Sequence, residues 1–439
     1  MLIEFRAANH RSLLDEQVLT LSASAKADKD DPRLRRVAGA TTPLLPAAAI
    51  YGANASGKSN VLRALDFMRR AVCDSARLWP PDAGVPREPF AWGDTGASVF
   101  EATFVVDDTR FEYGFVAEDA RFTEEWLFAW PTGKKKHVWF EREGDSIKFG
   151  ESLRGTPLAV KEATRPNALL LSTAAQFNRE RLLVPYLWFT DMRTHNVEGD
   201  PGGTLGVAGD YSLEAWITRN LRRAGRSRGQ LSLFPDLIAE TTVIDVLREL
   251  VRVADIGIDD LKVVTTGPAD GEGPRRPHAP PSRQIMLHHV NGGTGGWLPL
   301  SEESKGTATL LRMAPAVLDV LLSGSVLIVD ELEASLHPRL ADQVLRHFSD
   351  PALNPRGAQI LFATHDTALI GHQVGEPRLR RDQIWLTEKR PDGSTNLYPL
   401  TDFKPRAAEN LERGYLQGRY GAVPYVDALF DAVLGDTGR

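Results

Sequence analysis

At 439 residues the chain is long enough for two or three domains, and its 42% hydrophobic and 25% charged residues exclude a disordered or fibrous protein. The 52 basic residues against 58 acidic ones leave a net charge of −6, so no overall field draws it to nucleic acid or membrane. One cysteine, Cys73, excludes an internal disulfide and suits a small core position in a reducing cytoplasm; no leader pattern and no apolar run of about 18 residues occur, so a cytoplasmic chain without a membrane partner is expected.

Residues 1–75 carry the first strands and a helix, interrupted by the polar segment Lys26–Arg36. Pro46–Tyr51 is a continuous apolar run that reads as a buried strand. It leads into Gly52-Ala53-Asn54-Ala55-Ser56-Gly57-Lys58-Ser59, which fits G-x-x-x-x-G-K-[ST] at every required position. A loop of this kind turns its backbone N–H groups onto a nucleotide's phosphates. Lys58 would reach the β- and γ-phosphates, and the Ser59 hydroxyl would ligate Mg²⁺. Asn60–Arg70 carries Val61, Leu62, Leu65 and Met68 on one helical stripe, so the phosphates sit at a helix N-terminus where the dipole favours them. Asn54, Ala55, Ser56, Gly57, Lys58, Ser59 and Asn60 are therefore the expected nucleotide contacts.

Trp79–Gly96 is rich in Pro and Gly and reads as a loop. Val99–Val106, Thr109–Val116, Thr123–Trp130 and His137–Arg142 then alternate as strands of a meander, with Trp126, Trp130 and Trp139 expected to pack its apolar face. Gln176–Asp191, Tyr211–Arg223 and Phe234–Ala254 have helical periodicity, the first two joined by the glycine-rich Glu198–Asp210. They read as a helical insertion, without the sustained heptads of a coiled-coil arm. Gly267–Pro281 is a Gly/Pro-rich loop, and Arg283–Val290 with Trp297–Leu300 forms a hairpin around Asn291–Gly296. Two basic clusters, Lys134–His137 and Arg219–Arg228, are the places where DNA or RNA could bind.

The distal part carries a second set of chemical groups. Leu300–Thr307 opens the apolar helix Ala308–Leu322. Val326–Val329 is a β-branched run ending in Asp330-Glu331, as in a strand buried on both faces. Asp330 would hold Mg²⁺ through water, and Glu331 would orient or deprotonate the attacking water. A helix begins near Arg339. Ala358–Thr364 is another buried strand, ending in His365, a candidate γ-phosphate sensor. Asp330, Glu331 and His365 all fall at carboxyl ends of strands, where open α/β sheets place their ligands. Gln383–Thr387 and Thr395–Leu400 read as a hairpin around Pro391–Gly393, and a closing helix is expected over Val423–Leu434.

This order of P-loop, S-x-G before a helix, strand-DE and strand-TH resembles the ABC-type ATPases of the SMC, RecF and OLD lineage. The match is nearest to the RloA/AbiL type of abortive-infection ATPase, whose tail resembles Asn410–Pro424 here. Met1–Ser12 resembles the first strand and N-F-R-S turn of that group, with His10 in place of the aromatic and Arg11 as a possible nucleotide contact. Ser304-Lys305-Gly306 resembles the signature motif, although within an acidic run, and Glu333–Leu336 resembles the D-loop, with His365 as the switch histidine. The glutamine loop has no clear counterpart beyond Gln176. The resemblance implies an α/β P-loop ATPase head with a β-rich lobe. Its N-terminal half would be 1–170, the helical insertion 171–280 and the C-terminal half 281–439. It also implies ATP and Mg²⁺ as ligands, and a homodimer or higher homo-oligomer that sandwiches ATP between one P-loop and the partner's Ser304 and Gly306. Such a switch would govern a separate effector in anti-phage defence. A RecF-like DNA-binding clamp and an idle scaffold are the alternatives, the second disfavoured by intact Lys58, Asp330 and Glu331. No D-x-D follows His365, so a built-in Toprim nuclease is not expected, and the absence of N-K-x-D favours ATP over GTP.

Overall fold

The computed structural model describes residues 1–24, 30–93, 96–131, 135–153, 158–177, 180–197, 213–214, 216–217, 243–254, 257–266, 282–290, 295–334, 336–371, 378–406 and 409–423. The arginine cluster Arg219–Arg228, the linker Glu198–Asp210, the loop Gly267–Pro281, Lys134, Ser335 and the closing helix beyond Val423 lie outside them.

Ala47–Gly52 (β3) has no polar face, and such a strand needs cover on both sides. It pairs in parallel with Gln359–Ala363 (β14) on one side and Ile384–Lys389 (β15) on the other. Beyond β14 come Val326–Val329 (β13) and Arg193–His195 (β9), also parallel, and beyond β15 the antiparallel edge strand Thr395–Pro399 (β16). The period-2 alternation of a strand divides β3 between two cores: Ala48 and Ile50 face one, and Ala47, Ala49 and Tyr51 face the other.

On the first face lies Lys58–Asp74 (α1), with Leu170–Gln176 (α3) and Glu180–Asp191 (α4) packed on it; Leu158–Ala163 (α2) adjoins α3. A seven-stranded antiparallel sheet closes over these helices. Its strands are Leu2–Ala8 (β1), Gln17–Thr20 (β2), Ser98–Val106 (β4), Thr109–Ala117 (β5), Phe122–Pro131 (β6), His137–Glu143 (β7) and Ser146–Phe149 (β8), in the order β2-β1-β4-β5-β6-β7-β8. Buried Gln359 ties the two sheets together: its amide donates to the Leu2 and Leu45 carbonyls at 3.0 and 2.9 Å. On the second face pack Lys305–Ser323 (α6), Pro338–Ser349 (α7) and Leu411–Leu416 (α8), where Tyr415 meets Tyr51 edge-on at 5.7 Å. A third core joins Val243–Ala254 (α5) to the small sheet of Ile258–Thr266 (β10), Ser282–His289 (β11) and Trp297–Pro299 (β12).

α6 is long and apolar enough by length and composition to cross a membrane, yet half of it is buried within the protein. Leu310, Met313 and Val320 enter the second core, while Ala308, Leu311 and Ala314 enter the third.

Three expectations change. The segment 171–280, read as a helical insertion with a loop, supplies β9 to the central sheet, because Arg193-Thr194-His195 gains its strand character from the ladder with β13. A further strand, β10, precedes the Gly267–Pro281 loop. The tryptophans also divide. Trp139 meets the core ring of Phe111 edge-on at 5.2 Å, whereas alternation turns Leu127 and Ala129 of β6 inward and leaves Trp126 and Trp130 on the opposite face. There Trp126 donates to Glu101 at 3.2 Å, Arg110 lies 4.2 Å from the centre of the Trp130 ring, and Lys136 lies 3.3 Å from that of Phe128.

His10 takes the place of an aromatic in substance as well as in sequence. Left-handed Asn9 (φ 51°) and Arg11 (φ 53°) fold the turn so that His10 enters the core beside Phe67 and Phe100, with centroids 5.5 and 5.4 Å away. Both ring nitrogens are buried without a hydrogen-bond partner. Burial above all, and then the charge of Arg11, lowers its pKa to about 3. The contribution of the neutral ring is therefore complete above about pH 6.5 and is lost as the pH falls toward about 3. His10→Phe should raise the thermal midpoint at pH 7, since an unpartnered buried polar group costs on the order of 1–3 kcal/mol. It should also remove part of the stability loss between pH 6.5 and 4. Calorimetry across that range checks both effects, and a variant no more stable than the parent would contradict the burial argument.

Candidate nucleotide-binding site

β3 ends at Gly52 and α1 begins at Lys58, so five residues make the turn from strand to helix. Ala55 (φ 61°) and Gly57 (φ 105°) adopt left-handed backbone, which bends successive N–H groups toward one concavity. Gly57 admits no side chain, because a β-carbon would run into the Thr395 hydroxyl. The buried Lys58 ammonium donates to the Gly52 and Ala53 carbonyls at 2.9 and 3.0 Å. Burial lowers its pKa, and the carboxylates of Asp330, Glu333 and Glu331 act against that.

The first turn of α1 carries Ser59 to the end of β13, where its hydroxyl donates to Asp330 Oδ1 at 3.0 Å. Asp330 is itself buried, and its N–H donates to the His195 carbonyl of β9 at 3.0 Å. Glu331 is exposed and left-handed (φ 53°), a conformation costing roughly 1–2 kcal/mol for a residue with a side chain and of the kind that gathers at functional sites. His365 follows β14, and its N–H donates to Glu333 Oε1 at 2.6 Å. Desolvation at the sheet edge, followed by the Lys58 charge, lowers the His365 pKa, so its imidazole is neutral at pH 7. A phosphate-turning loop, a hydroxyl–carboxylate pair, a free-standing carboxylate and a neutral imidazole thus meet at the carboxyl ends of β3, β13 and β14.

The remaining expected contacts divide. Asn54 and Ala55 are exposed at the loop crest, while Ser56 is buried, its hydroxyl 2.7 Å from that of Thr387. Asn60 donates to the Ser12 hydroxyl at 2.7 Å. Arg11 pairs with Glu88 at 2.8 Å and, with Lys58, Ser59 and Asn60, lines a cavity of about 480 Å³. Ser304 and Gly306 belong elsewhere: Ser304 is an exposed N-cap of α6, its hydroxyl accepting from the Thr307 N–H at 3.1 Å, and neither lines this cavity. Gln176 closes α3, which packs on α1 and α4.

Sequence reasoning missed the supports of the loop. Thr395 Oγ1 lies 2.9 Å from the Ser56 carbonyl and 2.7 Å from Ser12 Oγ, so β16, the N-terminal turn and the P-loop are clasped by hydroxyls. Thr387 of β15 reaches the Tyr51 carbonyl at 3.2 Å. His195 was missed as well. It sits beside Asp330 with Nε2 buried and without a partner, its pKa lowered by burial and then by Arg312. Threonines in a hairpin and a histidine in a three-residue strand carry no motif that would have marked them.

The family described as "AAA domain, putative AbiEii toxin, Type IV TA system" matches residues 47–371, from β3 past His365. No curated protein matches the sequence. Among solved structures, the SMC head domain from Thermotoga maritima is 13% identical with a TM-score of 0.35, covering 91% of this chain and 98% of its own. An SMC head bound to the C-terminal winged-helix domain of ScpA is 12% identical with a TM-score of 0.45, covering 90% and 97%. The recombination mediator RecF with ATP is 12% identical with a TM-score of 0.33, covering 90% and 97%.

Thr395→Val keeps the side-chain shape and removes the hydroxyl that braces the loop. The Ser56 carbonyl is then left without that donor, so the thermal midpoint should fall, and with the loop less firmly shaped ATP affinity should fall about fivefold, close to 1 kcal/mol. Calorimetric titration checks it, and unchanged affinity would show that the clasp does not shape the loop.

Proposed function

The chain belongs to the AAA-domain family described as "putative AbiEii toxin, Type IV TA system", and on that footing we propose that it is an ATP-binding and hydrolysing switch in bacterial anti-phage defence. ATP would close two copies around it, in a dimer or a larger homo-oligomer, and hydrolysis would set the state of a separate effector in the cytoplasm. The observation that carries this reading is the 3.0 Å contact between Ser59 and Asp330, with Glu331 next in the chain at the same sheet edge.

That pair of hard oxygen donors fits Mg²⁺, which takes one or two protein ligands and completes its shell with phosphate oxygens and water. Ser59 and Asp330 would hold the ion, which would supply positive charge against the nucleotide's phosphates. Lys58 adds a cation at the loop mouth, and the N–H groups that begin α1 add the helix dipole. Glu331, exposed beside the buried Asp330, is placed to orient a water molecule and accept its proton. Neutral His365 can donate a hydrogen bond to the phosphate that leaves.

One copy supplies only half of such an enclosure. The exposed N-terminus of α6, capped by Ser304, presents further backbone N–H groups to solvent. A γ-phosphate held on the P-loop of a second copy suits that end of the helix dipole, and it would make ATP the joint between protomers.

Glu331→Gln should still bind Mg-ATP while turnover falls by about 100-fold or more, the contribution typical of a positioned base. Its native mass should double on adding Mg-ATP, and a stable nucleotide-loaded form should retain an effector encoded beside it. Lys58→Ala should bind no nucleotide and remain unassociated. Native mass spectrometry and phosphate release test the reading, and wild-type turnover in Glu331→Gln, or a monomer that ignores ATP, would overturn it.

A further inference from the structure

The cavity beside the P-loop extends past the phosphate cradle to a wall made by Arg11, Glu88, Trp92 and Gly393. Trp92 is 74% exposed, the most of any large hydrophobic side chain among the described residues. Leaving an indole in water forgoes hydrophobic free energy, and this one stands open at the rim of the same cavity that the P-loop lines. The side chain is nonetheless held. Phe90, itself buried, meets the Trp92 ring edge-on at 5.6 Å and 78°. On another side lies Gly393 of the β15–β16 turn, where even a β-carbon would come within 2.9 Å of the indole. Two elements thus fix the ring while most of its surface stays open.

The position of the ring relative to the phosphates follows from the same hairpin. Thr395, two residues beyond Gly393, touches the P-loop at the Ser56 carbonyl, 2.9 Å away. Two residues of chain span at most roughly 7 Å, a length on the scale of a ribose. A base carried on such a ribose would lie within reach of the indole. Exposed aromatic faces are what nucleobases stack on, and the Arg11–Glu88 ion pair beside it, at 2.8 Å, offers a polar edge.

We propose that Trp92 is the platform on which the base of a bound nucleoside triphosphate stacks, so that Glu88–Trp92 and the Gly393 turn form the base-binding half of the site. The inference rests on the P-loop holding the phosphates, and the two can be separated. Inorganic triphosphate engages only the phosphate cradle, whereas ATP engages both halves.

The experiment titrates the full chain with Mg-ATP and with inorganic triphosphate in calorimetry, for wild type, Trp92→Ala, Trp92→Phe and Lys58→Ala. Trp92→Ala should weaken ATP about tenfold, close to 1.4 kcal/mol, and leave triphosphate unchanged. Trp92→Phe, which keeps an aromatic face, should recover most of the loss. Undiminished ATP affinity in Trp92→Ala, or an equal loss for ATP and triphosphate, overturns the stacking role while the P-loop reading stands. Triphosphate binding that is absent in wild type, or indifferent to Lys58→Ala, overturns the P-loop reading and the platform with it.

Discussion

Both ladder partners of β3, the strand that delivers the phosphate loop, come from the distal half of the chain, β14 on one side and β15 on the other. Parallel pairing between such distant segments carries a loop-closure cost that only extensive burial offsets. The burial here is two-sided, since alternate residues of the same strand enter different cores. Once that pairing forms, the carboxyl ends of β3, β13 and β14 lie side by side. Ser59, Asp330, Glu331 and His365 then gather at one edge with no direct covalent tie among the elements that bear them.

The clasp around the P-loop shows how finely that edge is held. The Thr387 and Thr395 hydroxyls of one distal hairpin brace the Tyr51 and Ser56 carbonyls, and Ser12 of the N-terminal turn bonds in turn to Thr395. Left-handed backbone at Ala55 is costly by itself and persists only where its surroundings determine it. The same hairpin that braces the phosphate loop carries Gly393 to Trp92. One hairpin therefore spans the distance from phosphate cradle to exposed indole, which gives the cavity its length. On the opposite face of the sheet, Tyr415 beneath Tyr51 ties the distal tail to the strand that feeds the loop.

Ser304, exposed at the start of α6, does not line the cavity that Lys58 lines. A helix N-terminus that faces solvent, capped by its own serine, leaves amides for an incoming anion. In the proposed assembly, where a second copy would bring this helix end to the P-loop, nucleotide occupancy and assembly would become one equilibrium. Glu331 stands exposed at the rim of one half, beside the buried Asp330, where closure would remove it from bulk water.

Much of this was legible in the chain itself. The strand–loop–helix of β3 and α1, the meander β4 to β7, the strands β13 and β14 and the distal hairpin follow from periodicity and turn residues, and G-x-x-x-x-G-K-S with the paired Asp330-Glu331 names the chemistry. Those signals are local: side-chain alternation, a glycine's backbone freedom and the acceptor pattern of a phosphate act within a few residues. Tertiary structure alone decided the rest. Arg193-Thr194-His195 becomes a strand because β13 offers it a ladder, and Trp126 and Trp130 face outward because their neighbours on β6 fill the core. His10 is hidden between Phe67 and Phe100, Thr395 reaches the P-loop, and Trp92 stands over Gly393 because the sheet brings distant segments together. None of these contacts leaves a periodic or spaced trace, since each depends on which surfaces meet after the chain has closed.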